Sequence, residues 1–511
     1  MNKTILFVLV AVFLGTQLFA GGNRAAASST APLNVLMWTR DIADFQSMEY
    51  YRQLEAQTGV RINLTTVDGG DWGTRTNLMF ASGDYADVIL RGNVDVEMYG
   101  VDQKILIPIE SYVDRFMPNY RALLNRDPSL VNYMRASDGH NYYTAWLVPQ
   151  NINVEAHLFI NKTWLDNLRL PVPTTFSQFE TTLRAFRTNY PNDYPFSGTW
   201  GGYESVLQFL SFWGIPFGGA SWLHITDDNQ VVSQLQHRNL RAAMETLSRW
   251  YSEGLIDMES LTQGGNEHTA KINAGRLGTL WRWRMIAMGT PDNVVEQYVG
   301  IMPVAAMSGV TPQVHRYLEL PTRGAYITTA CRDVERAARW IDAQYTFENM
   351  VNGYYGPYKE VIQDGSLFRY GWQFAANGKV DFFTGDTESI PNQSAIHFFS
   401  GPEYFERFNM PVQRIEKTTL CETYTNAGMV VRNSSTILTD LVTMSIADMN
   451  QRDLLSAQID TFAREALTNF ISRGVTDASW NTFNTTLQNL RINDYIRLYQ
   501  AAYDRYRTAQ R

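Results

Sequence analysis

From Asn34 onward the apolar positions fall into short runs with two alternating spacings. Asn34–Trp38 and Ala86–Leu90 are short, mainly apolar segments, and Arg61–Val67 alternates with period two, so each predicts a strand. Between them, Phe45–Gln57 and Thr74–Ala81 carry helical spacing, stopped by Gly59 and by Gly83-Asp84. Strands that alternate with helices predict right-handed βαβ units and a mostly parallel sheet. Tyr142–Trp146, Ala156–Asn161, Gly278–Trp283, Tyr298–Val304 and Ala325–Ala330 predict further strands. A helix is predicted over Phe176–Thr188, where Thr175 and Gln178 have capping-box spacing. Asn239–Glu253 predicts an amphipathic helix ending at Gly254. Asp333–Asn349 predicts another, with acidic residues in its first turn. Asn352–Ser400 is rich in glycine, proline and aromatic residues and reads as loops. From Ile437 the chain is almost wholly helical, broken at Gly474. The pattern predicts an α/β protein in two lobes with a helical C-terminal extension.

Composition narrows the function classes. A chain of 511 residues holds roughly three domain equivalents, or two large lobes, at about 150 residues per domain. The formal net charge of −8 disfavours a nucleic-acid binder and a polybasic membrane binder, both of which need a basic face. Only seven of the 43 basic residues are lysines. Arginine offers a planar fork of donors for carboxylates and hydroxyls, although genomic base composition also explains such a bias. Aromatic residues make up 13%, which suits a cleft that stacks on rings as well as a core. The start of the chain has Lys3, an apolar run from Ile5 to Leu14, and small residues at Ala20-Gly21-Gly22. This is the pattern of a secretory signal peptide, expected over residues 1–22 and followed by a linker over 23–32. The chain is therefore expected to be exported, periplasmic or extracellular. Its first cysteine is Cys331, so no lipid-anchor cysteine is expected near the cleavage point. Cys331 and Cys421 permit one disulfide or two separate thiols. The seven histidines show no HExxH pattern, and no metal or cofactor is expected.

Several segments together resemble the family-1 extracellular solute-binding proteins of ABC importers, in their long lipoprotein-type branch. They are Leu158–Leu170 with Pro171–Phe179, Phe212–Pro216, Leu247–Asp257, Ala274–Trp281, Glu335–Asp342, Tyr354–Gly356, and Phe470–Gly474 through Tyr503–Tyr506. They occur in order over nearly all of the chain. The resemblance implies a periplasmic-binding-protein-like clamp of type II, with lobe 1 over 33–150 and 297–352 and lobe 2 over 151–296 and 353–511. It implies a ligand held between the lobes by hinge closure, a membrane permease as partner, and a monomer. Many relatives carry a calcium-like loop after the helix near residue 190. Here Tyr190–Pro195 lacks the alternating oxygen ligands that calcium needs, and no metal is expected there.

Ligands of open α/β sheets bind beyond the carboxyl ends of strands. That rule selects Trp38, Arg40 and Asp41 after the first strand, and Arg91 and Asn93 after the third. Trp146 lies at the expected first crossing between lobes, and Trp200 and Tyr203 lie in an aromatic, glycine-containing loop. Trp281, Trp283 and Arg284 end a strand that the resemblance places at the cleft. On period two, Trp281 and Trp283 share one face, with one face of the strand buried and the other available. Tyr355 lies at the third crossing. Indoles and arginines suit a mono- or oligosaccharide, whose C–H faces stack and whose hydroxyls take donors. Two alternatives stand beside the importer component: a secreted carbohydrate-active enzyme, which needs two placed carboxylates, and an orphan sensory receptor with the same clamp.

Overall fold

The computed structural model describes residues 31–509 except 40–45, 47, 127, 129, 132–133, 147–152, 155, 203, 219–221, 286–289, 318–321, 357, 359–361, 364–368, 383–405, 410–411, 432–433, 435–436, 439–441 and 443. The first strand, β1 (Leu33–Thr39), pairs in parallel with β2 (Ile62–Asp68) on one side and β3 (Val88–Leu90) on the other. β2 leaves alternate positions open to solvent, as an edge strand does, whereas all three residues of the central β3 are buried. The helix Glu49–Thr58 buries Tyr50, Tyr51 and Leu54, and it stops at Gly59. Gly59 takes φ +68°, a left-handed conformation that costs glycine little, and its amide donates to Glu55 O. β4 (Tyr143–Trp146) completes this lobe's outgoing strands.

Beyond residues 147–152 the chain forms β5 (Asn153–Val154) and enters the second lobe at β6 (His157–Asn161), which is buried throughout. There follow β7 (Tyr194–Phe196), the hairpin of β8 (Leu223–Ile225) and β9 (Val231–Ser233), β10 (Leu277–Arg282) and β11 (Tyr298–Ile301). The second sheet has the order β11-β6-β10-β7. Its helix Phe176–Asn189 starts at the expected capping box, formed by Thr175 and Gln178. Phe179 packs edge-on against Phe209 and Phe212, with centroids at 5.9 and 5.3 Å, and the helix Leu240–Ser252 adds Trp250 to the cluster. The C-terminal helices Ile446–Arg473, Asp477–Asn489 and Ile492–Ala509 bury Leu467, Phe470, Tyr495 and Tyr499 in the same core. That apolar contact makes the extension part of the second lobe.

The chain returns through β12 (Val314–Tyr317), which pairs antiparallel with β5 and parallel with the short strand Val430–Val431. It then inserts β13 (Thr322–Ile327) between β3 and β4, antiparallel to both. The first sheet therefore has the order β2-β1-β3-β13-β4.

Three expectations are corrected. The segment from 297 was expected in lobe 1, yet Tyr298–Ile301 pairs with β6, and Val304 and Val314 lie in the second core. The chain therefore returns to the first lobe between β12, which ends at Tyr317, and β13, which begins at Thr322. The boundary expected at 353 also moves, because Tyr354, Tyr355, Trp372, Val380 and Phe408 belong to the first core. The single helix expected over 333–349 is two, Val334–Ala343 and Phe347–Tyr355. The Thr346 side chain accepts from the Asn349 amide, so Thr346 caps a new helix instead of continuing the old one. The two cysteines are separate buried thiols, Cys331 in the first core and Cys421 in the second. Burial, with Asp87 nearby, pushes the Cys331 thiol up to about 11.

Candidate functional site

In the first lobe β1 and β3 run in parallel and end at one edge of the sheet. β13 is antiparallel to both β3 and β4, so β4 ends at that same edge and β13 begins there. Two of the chain's crossings between the lobes, the one after β4 and the one before β13, lie at this edge. It therefore faces the second lobe. Trp38, Arg91 and Trp146 meet on it: the Arg91 guanidinium carbon lies 4.7 Å from the Trp146 ring centroid and 5.9 Å from that of Trp38. Both indoles are partly exposed, and Arg91 is 7% exposed. Flat indole faces stack on the C–H faces of sugars, and a guanidinium held between them supplies in-plane donors for hydroxyls.

The loop that carries Arg91 is tightly fixed. Arg91 takes φ +63°, a left-handed backbone that costs a side-chain-bearing residue roughly 1–2 kcal/mol. Such outliers collect at binding sites, where the surroundings hold them in place. Its amide donates to Gly324 O at 2.7 Å. At Gly92 an added Cβ would lie 1.8 Å from the Trp72 ring, so only glycine lets the two pack. The Trp72 indole N–H donates to Asn93 O at 2.8 Å and closes the clamp. The Asn93 side chain is exposed.

In the second lobe β10 is antiparallel to β6, which places the residues after Arg282 beside His157, where the chain enters from the first lobe. β7 is parallel to β10, so the loop after Phe196 emerges at the same edge. Trp200 and Trp283 are partly exposed there. The Ser205 hydroxyl donates to Trp200 O at 2.6 Å, and the Val206 amide donates to Thr199 O at 3.0 Å. Beneath this turn lies a buried polar group. Arg282 Nε is 3.2 Å from Glu204 Oε1, His268 Nδ1 is 2.9 Å from Glu204 Oε2, and Arg282 donates to the Thr290 hydroxyl at 2.9 Å. An enclosed carboxylate needs such charge-assisted partners. Together they tie the Trp200 turn to the end of β10.

Not every expected residue reaches this surface. Trp281 is fully buried, with its ring 5.9 Å from Phe209 and 6.3 Å from Phe212. The expected division into one buried and one available face fails because every residue of β10 is buried, Arg282 included. Trp283 lies just past the strand. Arg284 is also buried, and Tyr355 packs in the first core against Tyr354 and Phe408. Arg40, Asp41 and Tyr203 lie outside the described residues. The loop over 190–195 turns its one carboxylate, Asp193, to Arg276 at 3.0 Å. Among the described residues no group of three or more His, Cys, Asp or Glu is placed to hold a metal ion.

Sequence reasoning missed Trp72, although it follows a strand end as Arg91 does. It also missed Glu204 and His268, whose pairing across 64 positions leaves no spacing signal.

Comparison with known proteins agrees with this architecture. Residues 38–351 match the model of the bacterial extracellular solute-binding protein family. The fructooligosaccharide ABC transporter substrate-binding protein FusA of Streptococcus pneumoniae is 25% identical over 481 residues, covering 89% of this chain and 86% of FusA. The structure of FusA in complex with kestose superposes with a TM-score of 0.81 at 23% identity, over 94% of this chain and 100% of FusA. A solute-binding protein from Bifidobacterium longum infantis, described as binding HMO and associated with an ABC transporter, gives a TM-score of 0.73 at 19% identity, over 93% of this chain and 99% of its own. These structures share the two-lobed fold. The chain belongs to the bacterial extracellular solute-binding protein family.

Proposed function

We propose that the chain is the extracytoplasmic solute-binding component of an ABC import system, and that it captures an oligosaccharide between its lobes and delivers it to a membrane permease. The observation that carries this reading is the Trp38–Arg91–Trp146 patch on the edge that faces the second lobe. Two indoles around a guanidinium match a sugar's alternating C–H faces and hydroxyls. Trp200 and Trp283 offer aromatic surface from the opposite lobe, so hinge closure would enclose the ligand from both sides. The names of FusA and of the Bifidobacterium protein support a sugar as cargo and an ABC permease as partner. The protein acts without turnover, as an exported monomer.

Thermal unfolding against a panel of fructo-oligosaccharides, milk oligosaccharides and peptides tests this reading. A ligand that binds only the folded chain stabilises it by about 2.7 kcal/mol at a hundredfold excess over Kd. A raised midpoint with an oligosaccharide recovered intact supports import. Hydrolysis of the sugar, or a shift only with peptides, would refute the reading.

A further inference from the structure

His157 stands at the start of β6, fully buried, and touches two elements that are far apart in sequence. Its Nδ1 lies 3.0 Å from the backbone carbonyl oxygen of Trp283, and its Nε2 lies 3.0 Å from Cys421 Sγ. A carbonyl oxygen only accepts, so Nδ1 carries the proton of the neutral ring. Nε2 is then the acceptor, and the Cys421 thiol donates to it. The chain of donors therefore runs from Cys421, through the imidazole, to the backbone of Trp283. Cys421 sits in the helix Val412–Asn426, which is anchored where the Tyr424 hydroxyl donates to Ile301 O at 2.6 Å. β10 ends at Arg282, so the sheet's own ladder no longer holds Trp283.

We propose that His157 is the positioning residue for the second lobe's half of the ligand site, fixing the backbone of Trp283 against the helix Val412–Asn426, with the Cys421 thiol setting its tautomer. The proposal rests on Trp283 meeting the ligand, as argued above, only for its effect on affinity. Its structural part stands apart from that reading. The imidazole serves as a directional strut, and the donor at the Nδ1 position matters more than the ring's bulk.

The test uses the full chain and three variants. His157→Asn keeps an amide N–H near the Nδ1 position, His157→Phe keeps the ring and removes the donor, and Cys421→Ala removes only the thiol. Amide hydrogen exchange is followed by mass spectrometry without ligand. In His157→Phe, the amides of 283–285 should exchange at least about tenfold faster, while those of β1 and β3 remain unchanged. His157→Asn should restore most of that protection, and Cys421→Ala should lie between. Equal exchange in the Phe and Asn variants would overturn the proposal, since it would show that the site needs bulk alone. Kestose titrations of the same proteins separate the two readings. Loosened 283–285 with unchanged kestose binding would keep His157 as the strut and remove Trp283 from the ligand contacts.

Discussion

At the scale of single residues, Arg91 concentrates the account, because it combines a strained backbone with a caged guanidinium. Asparagine tolerates the left-handed region and cannot reach between the two indoles. Arg91→Asn is therefore expected to keep the thermal midpoint within a few degrees while weakening sugar binding at least about tenfold, as measured by calorimetric titration. Gly92→Ala tests the neighbouring clamp. Its Cβ would meet the Trp72 ring at 1.8 Å, and overpacking of this kind costs typically about 1–3 kcal/mol. Denaturant unfolding should show that loss, and an unchanged midpoint would mean that the loop yields freely. Strand-end placement selected Trp38 and Arg91, the expected crossing between lobes selected Trp146, and the structure brings the three side chains together. The sequence misled at Trp281, because period two separates two faces only where a strand has one face open, and both faces of β10 are covered.

At the scale of elements, local signals were legible where chemistry is local. The capping box at Thr175 and the stop at Gly59 sit where the sequence predicts them. Thr175→Ala should cost about 1 kcal/mol, measurable as a lower urea midpoint. The pairing of elements was not legible, since β11 and β12 belong to the second lobe through partners more than a hundred residues away. One such meeting makes stability depend on pH. His224 in β8 is buried near His315 of β12 and His237 of the adjoining turn, and burial foremost pushes its pKa down to about 4. His237 is itself lowered by burial and by Arg238. An unfolded histidine titrates near 6.5, so the unfolded chain binds a proton that the native one refuses. The stabilisation from His224 is full above that value and fades as pH falls toward 4, by about 3 kcal/mol at most. Unfolding midpoints at pH 7, 5.5 and 4 should drop accordingly, and His224→Gln should flatten the slope. A wild-type slope retained in that variant would assign the effect to other groups.

At the scale of the whole molecule, each sheet carries aromatic residues at the edge where the chain crosses between the lobes. One edge carries Trp38, Arg91 and Trp146, and the other carries Trp200 and Trp283. The two-lobed class was legible from the alternation of strands and helices and from the family resemblance. The exact crossings were not, because a strand's lobe is decided by whose edge it joins. A clamp requires that ligand affinity depend on both lobes, whereas a one-sided surface site requires only one. The most direct measurement is calorimetric titration of kestose, or of the best sugar from the thermal panel, into the wild-type protein, Trp146→Ala and Trp283→Ala. The account predicts one-site binding to the wild type, abolished by either substitution, with both variants still folding cooperatively. Binding that survives Trp146→Ala or Trp283→Ala undiminished would contradict it.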